Sequence, residues 1–571
     1  TCPTCPYQSY PPDPDYNPGR HARHDLCVMA QTLIRRAASL VVALAATAAC
    51  GIGIVYGTYA AADTDPFGYV SQADLIARGS LSMPNALARE MPWPYAEDSF
   101  APPGYGTRAD HTIVPTYPPG LPLVMAGFQR VGGRAAVFYV VPMLGALAVL
   151  MTGRLGFQLG GPLTAAISAV LLASSPIFLR QVVQPVSDVA ATAWWVTALS
   201  LALGSGGLAK AVGAGLAASL AILTRPNLAP LAAVPAAYLL WPAVRGWTLR
   251  RGELWRPVLF AGAVVPGCLG VALFNTALYG GPLSSGYGDL GKLYAWSNLQ
   301  PNLERYPLWL VQSHSPLVVL ALVAPWLTRR ALARGPTPLE LEADRVWLLV
   351  VWIGFVGLSY LFYVPWNEWV YLRFLLPAIP ACIVLAVSVV VMLPLHRLRG
   401  AMGAVSGTVA IVGWVSWQAY QAAGLGVFTL REIERRYVDL GQYIERALPR
   451  QSVFITGEHS GSIRYYSDRL TIRFDVLRPG WLDEAVRVLA SRGYRTYFVL
   501  EVAEEARFRE KFGPQSSLGR LDWPPSVQRS EPVQVKIYDP ADRPRFMAGE
   551  PVTTGDTRPE RTPQVTTRER F

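Results

Sequence analysis

The feature that most constrains this chain is a series of apolar runs, each near the length of a bilayer crossing, separated mostly by short loops. A hydrocarbon core of about 30 Å needs about 20 apolar residues per helix. Such runs are placed near 37–59, 135–157, 161–180, 188–204, 207–224, 227–244, 257–279, 309–328, 346–364, 371–394 and 402–423. Composition agrees: 51% of the 571 residues are hydrophobic and 16% are charged. Soluble domains carry about 25% charged residues. The expectation is a polytopic α-helical membrane protein of about eleven transmembrane helices.

Assigning alternate loops to opposite sides tests that placement. One side collects Arg35, Arg36, Arg154, Lys210, Arg245, Arg250, Arg251, Arg256, Arg329, Arg330, Arg334, Arg345, Arg397 and Arg399. By the positive-inside rule this side is cytoplasmic, and a miscount by one span would split the set. The formal charge of +11 is thus distributed as a topology signal. It does not gather into one basic patch, so no nucleic-acid partner is expected.

The other side receives loop 60–134, the loop 181–187, the turn Thr224-Arg225-Pro226-Asn227, segments 280–308 and 365–370, and the chain after 424. Loop 60–134 is too long for a plain connector. Residues 70–79 read as an amphipathic helix ended by Gly79 and lying along the membrane surface. Residues 121–131 are apolar but too few to span, so a re-entrant or interfacial helix is expected. From 430 to 545 charges rise to soluble density. Strands are expected at 453–456, 497–500 and 533–538, and helices at 481–492 and 503–512, giving a C-terminal outer-face α/β domain. The transmembrane part is 37–424. Residues 1–36 read as a disordered, basic N-terminal tail with a natural start at Met29, and 546–571 as a disordered tail. Cys2-Pro3-Thr4-Cys5 is a CxxC without a partner pair, and the remaining cysteines imply no disulfide framework.

Residues able to carry chemistry gather on the outer side. Asp63-Thr64-Asp65-Pro66-Phe67-Gly68-Tyr69 follows the first span. A carboxylate there can deprotonate a hydroxyl acceptor at the membrane surface. The plain alternative is a solvated helix start with an N-cap. Gln184-Pro185-Val186-Ser187-Asp188 opens the fourth span. Asp188 is either an N-cap or a second acid beside Asp65, and these two would be the ligands if a divalent metal is used. Outer-face cations run against the charge bias, so Arg180, Arg225, Lys292 and Arg373 are candidates for a phosphate clamp, with snorkelling to headgroups as the alternative. Arg373 follows Trp366, Glu368, Trp369 and Tyr371. Gly457-Glu458-His459-Ser460-Gly461-Ser462 lacks the nucleophile-elbow spelling and reads as a turn or an acceptor contact.

Taken together, these motifs resemble the GT-C class of membrane glycosyltransferases. Within it the chain is similar to the bacterial branch related to dolichyl-phosphate-mannose protein mannosyltransferases and the lipid A aminoarabinose transferase. The resemblance covers about 37–424. It rests on Asp65-Pro66-Phe67-Gly68-Tyr69 in a long first outer loop, Tyr117-Pro118-Pro119-Gly120 before a helix, Ser175-Pro176, Ser187-Asp188, and Arg373-Phe374-Leu375-Leu376-Pro377. It implies an inverting transfer from a polyprenyl-phosphate sugar to a glycan, lipid or protein hydroxyl at the outer face. Asp65 would be the base with Asp63 in reserve, Asp188 a supporting acid, and Arg373 a phosphate contact. Tyr69, Tyr117, Arg225, Arg180, Lys292 and Glu368 would line the substrates. The expected location is a bacterial inner membrane. A Lys-Pro-Pro spelling common in the aminoarabinose branch is Tyr117-Pro118-Pro119 here.

Two other classes compete. A transporter predicts repeated halves and charged or broken helices at the midplane, whereas no internal repeat is visible. A lipid-linked glycan polymerase or ligase would carry its large outer loop late in the chain, whereas here the first outer loop is the patterned one.

Overall fold

Among the described residues of the computed structural model, six helical segments are long and apolar enough to cross a bilayer: Met29–Val55, Arg134–Ala173, Pro226–Val244, Trp255–Tyr279, Ala343–Leu361 and Trp369–Val391. A seventh span results if Trp296–His314 and Pro316–Leu327, bent by 111° at their break, are taken together. The protein is an integral membrane protein. The structure describes residues 18–204, 207–244, 251–327, 342–397 and 401–556. The Cys2–Cys5 pair and several basic loop residues (Arg245, Arg250, Arg329, Arg330, Arg334 and Arg399) lie outside them.

The expectation of about eleven spans and the six or seven that qualify differ for physical reasons. Ser187–Ala202 has 16 residues and Leu208–Thr224 has 17. At 1.5 Å per residue each is about 25 Å long, short of the hydrocarbon core. Arg134–Ala173 passes as one run, yet it is interrupted at Gly161, whose φ of +80° is non-helical. A Cβ on Gly156 would meet backbone atoms of Thr164 and Ala165 at 3.0–3.1 Å. Eight residues of continuous helix would hold these positions about 12 Å apart. The chain therefore folds back at Gly161-Pro162, the first residues of the run expected over 161–180.

Three other expectations are corrected. The helix expected over 70–79 runs Asp65–Ala77, and Pro66 through Asp74 are buried rather than facing a membrane surface. It packs against the helix Gly120–Gly132. The first helix begins at Pro18, inside the tail expected to be disordered. The tail after 546 contains the end of the helix Asp542–Met547 and the short strand Gly555–Asp556, with 557–571 outside the described residues.

Loop 60–134 holds a small antiparallel sheet of β1 (Met83–Pro84), β2 (Tyr105–Thr107) and β3 (Thr112–Pro115), in the order β1-β3-β2. After the helix Leu430–Ala447 come β4 (Ser452–Thr456), β5 (Leu470–Arg473), β6 (Arg495–Glu501), β7 (Val527–Arg529), β8 (Val535–Tyr538) and β9 (Gly555–Asp556). They form a six-stranded sheet in the order β5-β4-β6-β8-β7-β9. β4 runs parallel to β5 and β6, and β6 runs antiparallel to β8.

Loop 60–134 and this α/β region share one core. Met91, Trp93 and Phe100 from the loop pack with Phe498, Phe508 and Trp523 from the α/β region. Trp93 and Phe100 are 3% and 0% exposed, each burial contributing on the order of 2 kcal/mol. Arg464 donates to the Phe100 carbonyl at 2.6 Å. The aromatic stretch around Trp93 thus fastens the loop that carries the acidic motif to the C-terminal region.

Candidate active site

Four chain segments far apart in sequence deliver one cluster of charges. Asp65 opens the helix Asp65–Ala77, with a proline in its first turn, where proline costs no hydrogen bond. Asp63, just before it, sits at φ +47°. Asp188 lies in the first turn of the helix Ser187–Ala202. Arg225 ends the helix Leu208–Thr224 in a non-helical conformation, as the following Pro226 requires. Arg373 lies within the tight 3₁₀ run Trp369–Ala378.

The charges alternate. Arg373 Nη2 is 2.7 Å from Asp65 Oδ2, and its Nη1 is 4.0 Å from Asp188 Oδ2. Arg225 Nη2 donates to Asp188 Oδ1 at 2.6 Å, and its Nε donates to Ser187 Oγ at 3.2 Å. The Tyr117 hydroxyl donates to Asp65 Oδ1 at 2.6 Å, and the Tyr69 hydroxyl donates to Ser187 Oγ at 2.7 Å. Arg225 Nη1 and Asn227 Nδ2 both donate to the Tyr360 hydroxyl, at 3.3 and 3.0 Å. The Phe374 ring lies 5.5 Å from the Arg373 guanidinium and 5.9 Å from that of Arg225. Asp188 is 1% exposed and Asp65 29%. Two guanidinium groups, those of Arg225 and Arg373, face the buried Asp188 side chain.

The Gly68 position lets Tyr117 reach Asp65, since a Cβ there would lie 2.1 Å from the Tyr117 ring. Burial pushes the Asp65 pKa up. The Arg373 charge, the hydrogen bonds from Tyr117 and Arg373, and the Arg225 charge outweigh it, holding the carboxyl below its ordinary value. Asp63 behaves oppositely. It is surface-exposed but hemmed in by protein, and this desolvation, followed by the nearby Asp65 and Glu458 carboxylates, raises its pKa.

Asp65, Asp188, Arg225, Arg373, Tyr69 and Tyr117 therefore meet in one network. Arg180 stands beside it: its Nη1 is buried with no hydrogen-bond partner among the described residues, and it feels the charges of Glu434, Arg373 and Glu368. Glu368 is exposed at the start of the Arg373 run. Lys292 is exposed on the turn Leu290–Lys292, and no contact ties it to the network among the described residues. Ser187, Asn227, Tyr360 and Phe374 were not singled out as site residues from sequence. A serine before an acid at a helix start reads as a cap, and a tyrosine at a span end reads as an interfacial anchor.

Asp65 and Asp188 are not arranged as a ready-made cage for a divalent metal. The two acids expected to hold it already face guanidinium groups, and Arg373 reaches between them. Among the described residues no three His, Cys, Asp or Glu side chains converge on one point.

Next to the network opens a cavity of about 540 Å³. Tyr69, Ser187, Arg225 and Asn227 lie at its polar end, and Ile222, Val271, Ala272 and Phe274 contribute apolar wall. Such a space takes a ligand with a long apolar portion and a polar, anionic head.

The C-terminal region grips the acidic loop. The Ala61 amide donates to the Tyr466 hydroxyl at 2.7 Å, and Arg431 donates to the Val55 carbonyl at 2.7 Å. Tyr437 packs with Ala60 and Ala62. Gly461 lies so close to Phe67 that a Cβ there would stand 2.4 Å from its ring. Behind this contact His459 Nε2 is 2.9 Å from Glu501 Oε1, and Arg436 Nε donates to the same oxygen at 2.7 Å.

No family model matches the sequence, and no curated protein matches it. Solved structures do match the fold. ArnT from Cupriavidus metallidurans bound to undecaprenyl phosphate is similar at a TM-score of 0.51 and 14% identity, over 82% of this chain and 94% of that chain. The archaeal oligosaccharyltransferase AglB from Archaeoglobus fulgidus, in complex with an inhibitory peptide and a dolichol-phosphate, is similar at 0.51 and 12% identity, over 87% and 74%. An Archaeoglobus fulgidus oligosaccharyltransferase tethered with an acceptor peptide gives 0.52 and 13%, over 87% of this chain and 73% of that chain. The chain has the GT-C fold of these glycosyltransferases.

Proposed function

We propose that the chain transfers a sugar from a polyprenyl-phosphate carrier to a hydroxyl group of a glycan, lipid or protein at the outer face of a membrane, expected to be a bacterial inner membrane. The observation that carries this reading is the cavity that runs from apolar wall to Arg225, beside the part-exposed Asp65. Its shape suits an isoprenoid tail, and Arg225 suits a phosphate. The carriers in the ArnT and AglB structures, undecaprenyl phosphate and dolichol-phosphate, support the same kind of donor. The positive-inside pattern supports about eleven crossings and places loop 60–134 and the α/β region outside.

Asp65 is the proposed base. An ionised carboxylate offers about four lone-pair sites, of which Arg373 and Tyr117 take two. The remaining sites can accept the proton of an acceptor hydroxyl. As that oxygen bonds to the anomeric carbon from one face, the carbon–oxygen bond to phosphate breaks on the other, which inverts the centre. The phosphate leaves as the polyprenyl-phosphate anion, stabilised by Arg225. Asp188 holds Arg225 and Arg373 in place. The leaving group is already good, so no strong general acid is required. Transfer by the purified protein from synthetic polyprenyl-phosphate sugars, with Asp65→Asn beside wild type, tests this reading.

A further inference from the structure

We infer that the sugar this site accepts from its carrier is neutral, and that a sugar carrying a protonated amine is rejected. The inference rests on the transferase reading and deepens it. Tyrosines dominate the cavity wall: Tyr69, Tyr279, Tyr287, Tyr294, Tyr360 and Tyr363 all line it. Three of them stand edge to face, with Tyr294 and Tyr363 centroids 5.3 Å apart at 68° and Tyr360 and Tyr363 5.9 Å apart at 85°. Such a wall offers flat apolar faces to the C–H side of a sugar ring and phenol groups to its hydroxyls. The amides of Asn227 and Asn275 add neutral polar groups.

Charge is distributed against a cationic sugar. Among the described residues lining the cavity, Arg225 carries the only formal charge and no Asp or Glu is present. The nearest acids already have cationic partners: Asp188 faces Arg225 at 2.6 Å, and Asp65 faces Arg373 at 2.7 Å. An ammonium group entering this chamber would lose its water and find no carboxylate on the cavity wall to replace it. A neutral hydroxyl at the same ring position meets none of these penalties.

The test is competition binding to the full chain in lipid nanodiscs. Three probes are used: polyprenyl phosphate alone, the same lipid bearing a neutral hexose, and that hexose with one hydroxyl replaced by an amine. The neutral donor is expected to bind at least about tenfold tighter than the amino analogue. Asn275→Asp, which places a carboxylate in the cavity, is expected to narrow that gap. Equal or tighter binding of the amino analogue by wild type overturns the inference and leaves the transferase reading standing. A neutral donor that binds no better than polyprenyl phosphate alone also overturns it. Failure of all three lipids to bind overturns the transferase reading, and the inference falls with it.

Discussion

Arg373 touches Asp65 at 2.7 Å and reaches toward Asp188 at 4.0 Å, so one guanidinium links the two acids of the site. The two carboxylates come from chain segments more than a hundred residues apart, and Arg373 arrives from a third.

Removing that guanidinium leaves two carboxylates without their shared counter-charge. Arg373→Ala is expected to lower transfer by about a hundredfold or more, with a stability loss of up to about 3–5 kcal/mol. Arg373→Lys keeps the charge but not the planar fork, so it is expected to recover stability more than turnover. Initial-rate assays and thermal unfolding of the two purified variants check both statements.

Tyr117→Phe removes the hydrogen bond that helps hold Asp65 ionised. The depressed pKa means that Asp65 stays charged above its ordinary range and protonates only as pH falls below it. Without Tyr117 the pKa moves up, so the acid limb of the rate profile is expected to shift to higher pH. A pH–rate series for both proteins measures it; coincident acid limbs would contradict it.

Gly461→Ala is expected to disturb turnover through position. The new Cβ would stand 2.4 Å from the Phe67 ring, and Phe67 is two residues from Asp65. The turnover rate is expected to fall several-fold while donor binding is retained. Phe67→Leu added to Gly461→Ala makes room and is expected to restore part of the rate. A variant that loses donor binding and turnover together would indicate a general folding defect instead.

Glu501 links stability to pH. Burial raises its pKa, but the hydrogen bond and charge of His459, followed by Arg436, pull it down to about 2 from 4.5. A depressed folded-state pKa stabilises above the unfolded value and is lost below it. Protection of the α/β region is therefore expected to be complete above pH 4.5 and to erode between 4.5 and 2. Hydrogen exchange on the amides of β4 and β6 follows this, and Glu501→Gln is expected to flatten the dependence.

The long apolar runs made the helical membrane architecture legible, because crossing length is written locally in the sequence. The acidic motif stood out by its place directly after the first span, and the arginines expected on the outer side by running against the charge bias of that side. The pairings did not. Nothing near Asp65 announces that Arg373, more than three hundred residues later, will meet it. Trp93 read as part of a loop, yet it belongs to the core of a sheet that forms only after residue 450. The helix Asp65–Ala77 looked half-polar because its partners, the helix Gly120–Gly132 and the C-terminal region, lie elsewhere in the chain. Lys292 looked equivalent to Arg225 by side and charge, but only the fold separates an exposed turn from a cavity wall.

The most direct test of the account is transfer from a polyprenyl-phosphate sugar by purified wild type and Asp65→Asn, with donor binding and thermal stability measured alongside. The account predicts that wild type transfers the sugar and that Asp65→Asn binds the donor yet transfers at most about a hundredth as fast. Wild-type rates in Asp65→Asn would contradict the assignment of the base. A wild type that binds but never transfers any polyprenyl-phosphate sugar would contradict the enzyme reading itself.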